Sequence, residues 1–330
     1  MFRFAMVAVA GLVMAFQAAP PERPRLTSHL EALTDDASAA RTFDYIALKA
    51  EGADLGKLSD AVYMRTLPVP GGDRRCLTDA EAEVQMGLAA AIVASDAATF
   101  EDDRAAASDA WGKWGLFVEG LANGQVATEP PFSYISGRYA EAAAAADPRV
   151  RELLARSGKD QLIRRAFEGG AQIWGELSAG AKGRIDTLLS RQMCETDGEN
   201  TAWLKADLAA NGWYRISVFG DVPSRAAWLM IQHADRDPGF QQQMLALLQP
   251  LALEKEVEPW DVALLYDRVA MNAGRPQRYG SQGRCVARNV WGPQPLEDEA
   301  RVDEYRASVE LPPLAEYAAH MNRYCADFEG

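Results

Sequence analysis

Only three histidines occur in 330 residues, and one of them lies in the run Gln232-His233-Ala234-Asp235. A second polar run follows, Gly274-Arg275-Pro276-Gln277-Arg278-Tyr279-Gly280-Ser281-Gln282. An imidazole is the side chain whose unperturbed proton affinity lies nearest neutrality, so His233 is the candidate general base. Asp267, between the two runs, is the candidate second catalytic residue, orienting the imidazole or acting as an acid. Gln277, Tyr279 and Gln282 offer amide and phenol groups that would position a polar substrate, and Arg164 or Arg268 would hold an anionic group. Ser281 is a weak nucleophile candidate, because Tyr279 stands where a GxSxG turn has its first glycine.

Each of these residues also has a plainer explanation. Val222, Ala226, Leu229, Met230 and His233 share one helical face, so His233 extends an apolar stripe and is expected to be largely buried. A packed core histidine bonded to a carbonyl would look the same. Trp260, Leu264, Asp267 and Met271 repeat the pattern and place a carboxylate in an apolar row. That carboxylate needs a partner, with Arg268, Arg275 or His233 as candidates, and a structural ion pair is the alternative to catalysis. Asp235 can join His233 only if the helix ends there; otherwise it pairs with Arg236 or closes a turn. Asp160 and Arg164 are spaced as a surface ion pair on one helix.

The elements that must position these groups read as helices throughout. Asp147-Pro148 opens one toward Phe167, Asp197 begins one that ends at Asn211-Gly212, and Asp221 caps one through His233. Asp237-Pro238 and Glu258-Pro259 open two more, the latter closed by Gly274. Residues 279–296 suit a small irregular hairpin, and two helices near Asp298–Val309 and Pro313–Tyr324 finish the chain. Upstream, Thr78-Asp79-Ala80-Glu81 is a capping box for a helix burying Val84, Leu88 and Ile92, and Trp111, Trp114, Leu116 and Phe117 form another packing face. No βαβ alternation is present, so the expected class is all-α: a helical N-terminal scaffold and a mostly helical C-terminal domain. The expected layout is a signal peptide over 1–19, a linker over 20–27, a helical region over 28–149 and a second helical domain over 150–327.

The signal assignment rests on Arg3 followed by an apolar run from Phe4 to Phe16, too short for a membrane span, and on the small residues Ala18 and Ala19. A periplasmic or secreted location follows. In that setting Cys76, Cys194, Cys285 and Cys325 suggest two disulfides; Cys285 with Cys325 would tie a loop to the C-terminus and leave Cys76 with Cys194. A net charge of −13 repels phosphate backbones, which disfavours nucleic acid as a partner. One histidine with scattered carboxylates is a poor metal set, and no cofactor motif is present, so neither metal nor cofactor is expected.

Several spaced motifs resemble a bacterial family of unknown function, domain of unknown function 6624. They are Asp160-Gln161 with Arg164, Asp197-x-x-Asn200-Thr201-x-x-Leu204-Lys205, Gly212-Trp213, Gln232-His233-Ala234-Asp235, Asp267-Arg268-Val269, Pro276-Gln277-x-Tyr279-Gly280-x-Gln282 and Leu311-Pro312-Pro313-Leu314-x-x-Tyr317. The resemblance covers about residues 150–320 and implies a mostly helical domain, without naming an activity or a catalytic residue. Tyr214 stands where the family usually has proline, and Ser281 where threonine is usual. The functional expectation is therefore an exported protein with a polar pocket near His233 and the Gln277–Gln282 loop. As an enzyme it would be a hydrolase or lyase acting on a small polar molecule or envelope component. The alternative is a binding or interaction module whose polar cluster only locks the helices.

Overall fold

The computed structural model describes residues 26–67 and 74–326. The expected signal peptide lies outside them. The described residues form sixteen α-helices and one two-stranded hairpin, so the chain is all-α. Four short helices, α1 (Ser28–Leu33), α2 (Ala37–Thr42), α3 (Tyr45–Ala50) and α4 (Leu55–Met64), surround α5 (Asp79–Val93). Then follow α6 (Ala97–Ala122), α7 (Phe132–Ala144), α8 (Pro148–Gly169), α9 (Ala171–Trp174) and α10 (Ala179–Asn211). The C-terminal part contains α11 (Ile216–Phe219), α12 (Asp221–Gln232), α13 (Pro238–Leu253), α14 (Pro259–Asn272), α15 (Val302–Ala307) and α16 (Leu314–Met321). Between α14 and α15, β1 (Gly283–Ala287) pairs antiparallel with β2 (Val290–Pro293).

The spine is α10, whose 33 residues run about 50 Å at the usual helical rise. It packs on α5 and α6 from the N-terminal half and on α8 and α12 from the C-terminal half. Asp197 was expected to begin a helix and instead lies inside this one. Ser178 provides the actual N-cap, its side chain accepting from the amide of Ala181. Three apolar cores result. Leu30, Val62, Val84 and Leu88 fill the first, while Leu204, Tyr214, Ile231, Leu248 and Leu265 belong to the third. The middle core draws Trp114, Leu121 and Phe132 from before residue 150 and Leu162, Ile185 and Leu189 from after it.

The Thr78–Glu81 capping box forms as expected, but two neighbouring expectations fail. Ile92 is exposed at 43%, because an apolar stripe drifts around a straight helix and α5 turns Ala90 and Ala91 inward near its end. Leu116 is likewise exposed, while Trp114 carries that face. Both expected disulfides are present, Cys76–Cys194 and Cys285–Cys325. No helix among the described residues is long and apolar enough to cross a membrane.

Asp261, in the first turn of α14, is buried and its Oδ1 has no hydrogen-bond partner among the described residues. Burial pushes its carboxyl up to about 7; Arg225 opposes the shift and Glu258 adds to it. In the unfolded chain this group ionises near pH ~4. Between those values the folded state retains a proton that the unfolded chain releases, so stability falls as pH rises through the interval. Asp261→Asn is expected to remove that slope and to exceed the parent by roughly 2–4 kcal/mol at pH ~8, with little gain near pH ~4. Urea denaturation at the two pH values measures the difference; an equal effect at both would sink the assignment.

Candidate functional site

Three helices deliver the site. On α8 the buried positions Leu153, Ser157 and Asp160 follow each other at helical steps, and Arg164 extends the same row. Asp197 comes from the middle of α10. His233 is the C-cap of α12, where the backbone leaves the helix at φ −91° and ψ 0°. Because the helix stops there, His233 and Asp235 both reach the same cavity although only two residues apart.

Asp160 is 2% exposed. Its two oxygens lie 3.0 and 3.1 Å from Nδ1 of His233, and Oδ2 also accepts from Nε2 of Gln161 at 2.8 Å. Burial alone would raise this carboxyl, but the charges of His233 and Arg164 and the bonds from His233 and Gln161 more than offset it, holding it at about 2. An ionised Asp160 can only accept, so Nδ1 carries the proton and Nε2 presents a lone pair. Nε of Arg164 lies 3.3 Å from Nε2 and donates to it, while Nη2 donates to both oxygens of Asp197 at 3.0 Å. Burial lowers the proton affinity of His233 against the attraction of Asp160, leaving the imidazole neutral near pH ~7. Burial and the Asp160 charge push Asp197 up to about 7 against the pull of Arg164. The result is one continuous polar chain, Asp160–His233–Arg164–Asp197, holding a base, an acid and a fixed cation.

Asp160, Asp197 and His233 also offer ligand atoms within 4.8 Å of one another, a spacing suited to a divalent cation. The guanidinium of Arg164 contacts all three, so it already serves as the cation of the cluster and would have to withdraw for a metal ion to enter.

Asp197 and His233 face a cavity of about 340 Å³; Asp160 and Arg164 lie behind them. The rest of the wall includes Tyr63 in the last turn of α4, Thr66 and Leu67 just after it, and Arg74–Leu77. The Cys76–Cys194 disulfide pins that wall to α10. Arg75 is held by the buried Glu81, and Nε of Arg236 donates to the Arg74 carbonyl at 3.2 Å. Arg74, Arg75, Arg191 and Arg236 all line the cavity; Arg75 is paired with Glu81 and Arg191 with Asp79 and Glu195, while Arg74 and Arg236 have no salt bridge among the described residues.

The residues anticipated from sequence divide into two groups. Arg164 meets His233, and Arg268 reaches the cavity rim by donating to Asp235 at 3.1 Å. Asp235 also accepts from Gln241 and Asn272, which takes the place of the expected pairing with Arg236. Asp267 does not meet His233. Its oxygens accept the backbone N–H groups of Arg278, Tyr279 and Ser281 at 2.8, 3.0 and 2.8 Å, and Asp160 is the carboxylate that orients the imidazole. Gln277 is fully buried; its amide bonds the carbonyls of Gln282 and Gln294 and accepts from the Gln282 N–H. Tyr279 packs edge-on against Tyr266, and the side chain of Gln282 donates to Oγ of Ser281. These contacts hold the loop together, and none of them reaches the His233 cavity.

Asp160 and Asp197 were not anticipated as site residues. The surface ion pair expected of Asp160 and Arg164 is instead the buried heart of the cluster. The available signal was the four-three-four row Leu153, Ser157, Asp160, Arg164, the same spacing that drew attention to Asp267.

A family described as "Family of unknown function (DUF6624)" matches residues 148–326. That span contains the whole polar chain and the Asp267 loop, while Tyr63, Thr66, Leu67 and Arg74–Leu77 of the cavity wall precede it. No curated protein and no solved structure matches the chain.

Proposed function

Because the chain belongs to the DUF6624 family, for which no activity is described, we propose that the His233 cavity is an acid–base site for a small polar molecule bearing a negative charge. The observation that carries this reading is the unbroken contact from Asp160 through His233 and Arg164 to Asp197, with only the base and the acid open to the cavity. Asp160 fixes the tautomer, so Nε2 of His233 is the atom that takes a proton. Arg164 then turns fully to Asp197, to which Nη2 already donates. Neutral Asp197 supplies a proton to the leaving group, which suits a hydrolase or a lyase. Arg236, which lines the cavity and has no salt bridge among the described residues, would hold the anionic group. Two disulfides and the signal-like N-terminus support an exported, periplasmic or secreted setting, in which an envelope component is a natural substrate.

The protonation states set a narrow working range. His233 is a base only above its lowered value, and Asp197 is an acid only below about 7. Proton NMR titration of the three imidazoles is therefore expected to show His233 titrating below the ordinary histidine value, with a second inflection near 7 that Asp197→Asn removes. A thermal-shift screen of small anionic metabolites should find stabilisation confined to that range and absent in His233→Ala. An ordinary, single-step His233 titration, with identical screen results for the variant, would leave only a locking role for the cluster.

A further inference from the structure

A second cavity, of about 580 Å³, lies where α2, α5, α6 and α10 meet and shares no lining residue with the first. Its charged lining is Arg41, Arg104 and Arg184 against Glu83 and Glu101, a balance of 3 − 2 = +1. Arg41 is paired with Glu83, and Arg104 with Glu101. Arg184 is different. It is 5% exposed, its guanidinium carbon sits 4.7 Å from the Phe100 ring centre, and its Nε has no hydrogen-bond partner among the described residues. No carboxylate among the described residues forms a salt bridge with it; nearby Asp103 accepts the hydroxyl of Ser178, a neutral donor that leaves its charge in place. A buried guanidinium without an anion in contact is unfavourable, and the carboxylates of Glu83, Glu101 and Asp103 relieve that only at a distance. Beside it, Met86, Leu188 and Trp111 supply an apolar wall.

We propose that this cavity binds an organic monocarboxylate, its carboxylate gripped by Arg184 and its apolar body lying against Trp111, Met86 and Leu188. The net lining charge of one matches a single anion. A planar guanidinium suits the two oxygens of a carboxylate, and the apolar wall disfavours an inorganic ion. Nothing in this assignment depends on the His233 site.

Isothermal titration of the full chain with octanoate and indole-3-acetate, against 1-octanol and indole-3-acetamide, tests the proposal. At least one carboxylate should bind saturably at millimolar concentration and its neutral counterpart should not. Arg184→Met should weaken binding about tenfold or more, Trp111→Ala should weaken it while leaving Arg184 in place, and His233→Ala should bind as the parent does. The proposal is overturned if neither carboxylate saturates, if the neutral controls bind equally, or if both cavity variants bind like the parent. Loss of binding in His233→Ala would move the ligand to the other cavity and overturn it as well.

Discussion

Asp160→Ala is expected to lower stability by roughly 3–5 kcal/mol at pH ~7, because it strips the shared anion from a buried cluster and leaves its partners behind. Arg164 would keep its charge with only Asp197 to balance it, and burial would still oppose the ionisation of Asp197. The Nδ1–H of His233 would lose both of its acceptor oxygens. The sign of the pH dependence follows from the depressed carboxyl. In the folded state Asp160 ionises at about 2, below its unfolded value, so its contribution is fully present above pH ~4 and is lost as pH falls toward 2. The gap between parent and variant should therefore narrow by roughly 1 kcal/mol at pH ~3, about half of what is lost once pH falls below 2. Asp160→Asn keeps the shape and one acceptor for Nδ1–H, so it should lose less stability while moving the His233 titration further down. Urea denaturation at pH ~7 and ~3 measures the first effect, and imidazole NMR the second. A loss below about 1 kcal/mol would mean that the carboxylate is effectively solvated, as an exposed pair would be.

Asp160 is less legible in the sequence than His233 for a reason of chemistry rather than of pattern. A histidine at the end of an apolar stripe is conspicuous because imidazoles are few in this chain. An aspartate four residues before an arginine on a helix is the commonest of surface arrangements, and nothing local distinguishes a pair that faces solvent from one that a third helix covers. Here the covering helix is α10, and its identity depends on a packing between residues separated by the whole of α9 and half of α10. The helix ends were far more legible. Pro148, Pro238 and Pro259 each open a helix, and the turn after His233 follows the end of α12. These boundaries are set by neighbours within one turn, so the sequence records them directly. The full extent of α10 was not legible, since Asp197 looks like a cap residue and is in fact held mid-helix by Arg164 from α8.

The polar loop after α14 was noticed for its side chains, and its hydrogen bonds give those side chains a different task. Three amides converge on Asp267, the Gln277 side chain closes the loop on itself, and Arg306 donates to the Tyr279 carbonyl from the far side. Gly280 adopts φ +66°, a conformation that favours glycine, and a Cβ there would come within 2.9 Å of the Leu314 side chain. Asp267→Ala leaves three buried N–H groups without acceptors and is expected to destabilise the protein by roughly 3–5 kcal/mol. Burial holds this carboxyl above its ordinary value despite the three donors, so its contribution diminishes as pH rises from the unfolded value through the folded one. The deficit of the alanine variant should accordingly be larger in mild acid than at pH ~8. Asp267→Asn keeps an oxygen for the Arg278 and Tyr279 amides but turns an NH2 group toward Ser281, and its loss should be intermediate. Hydrogen exchange gives the decisive contrast. Residues 275–326, including the hairpin, should lose protection in Asp267→Ala, while α8, α10 and the His233 titration stay as in the parent. If the variant kept that protection and lost only the His233 response, Asp267 would be working on the cavity rather than on the loop, and the division into two clusters would be wrong.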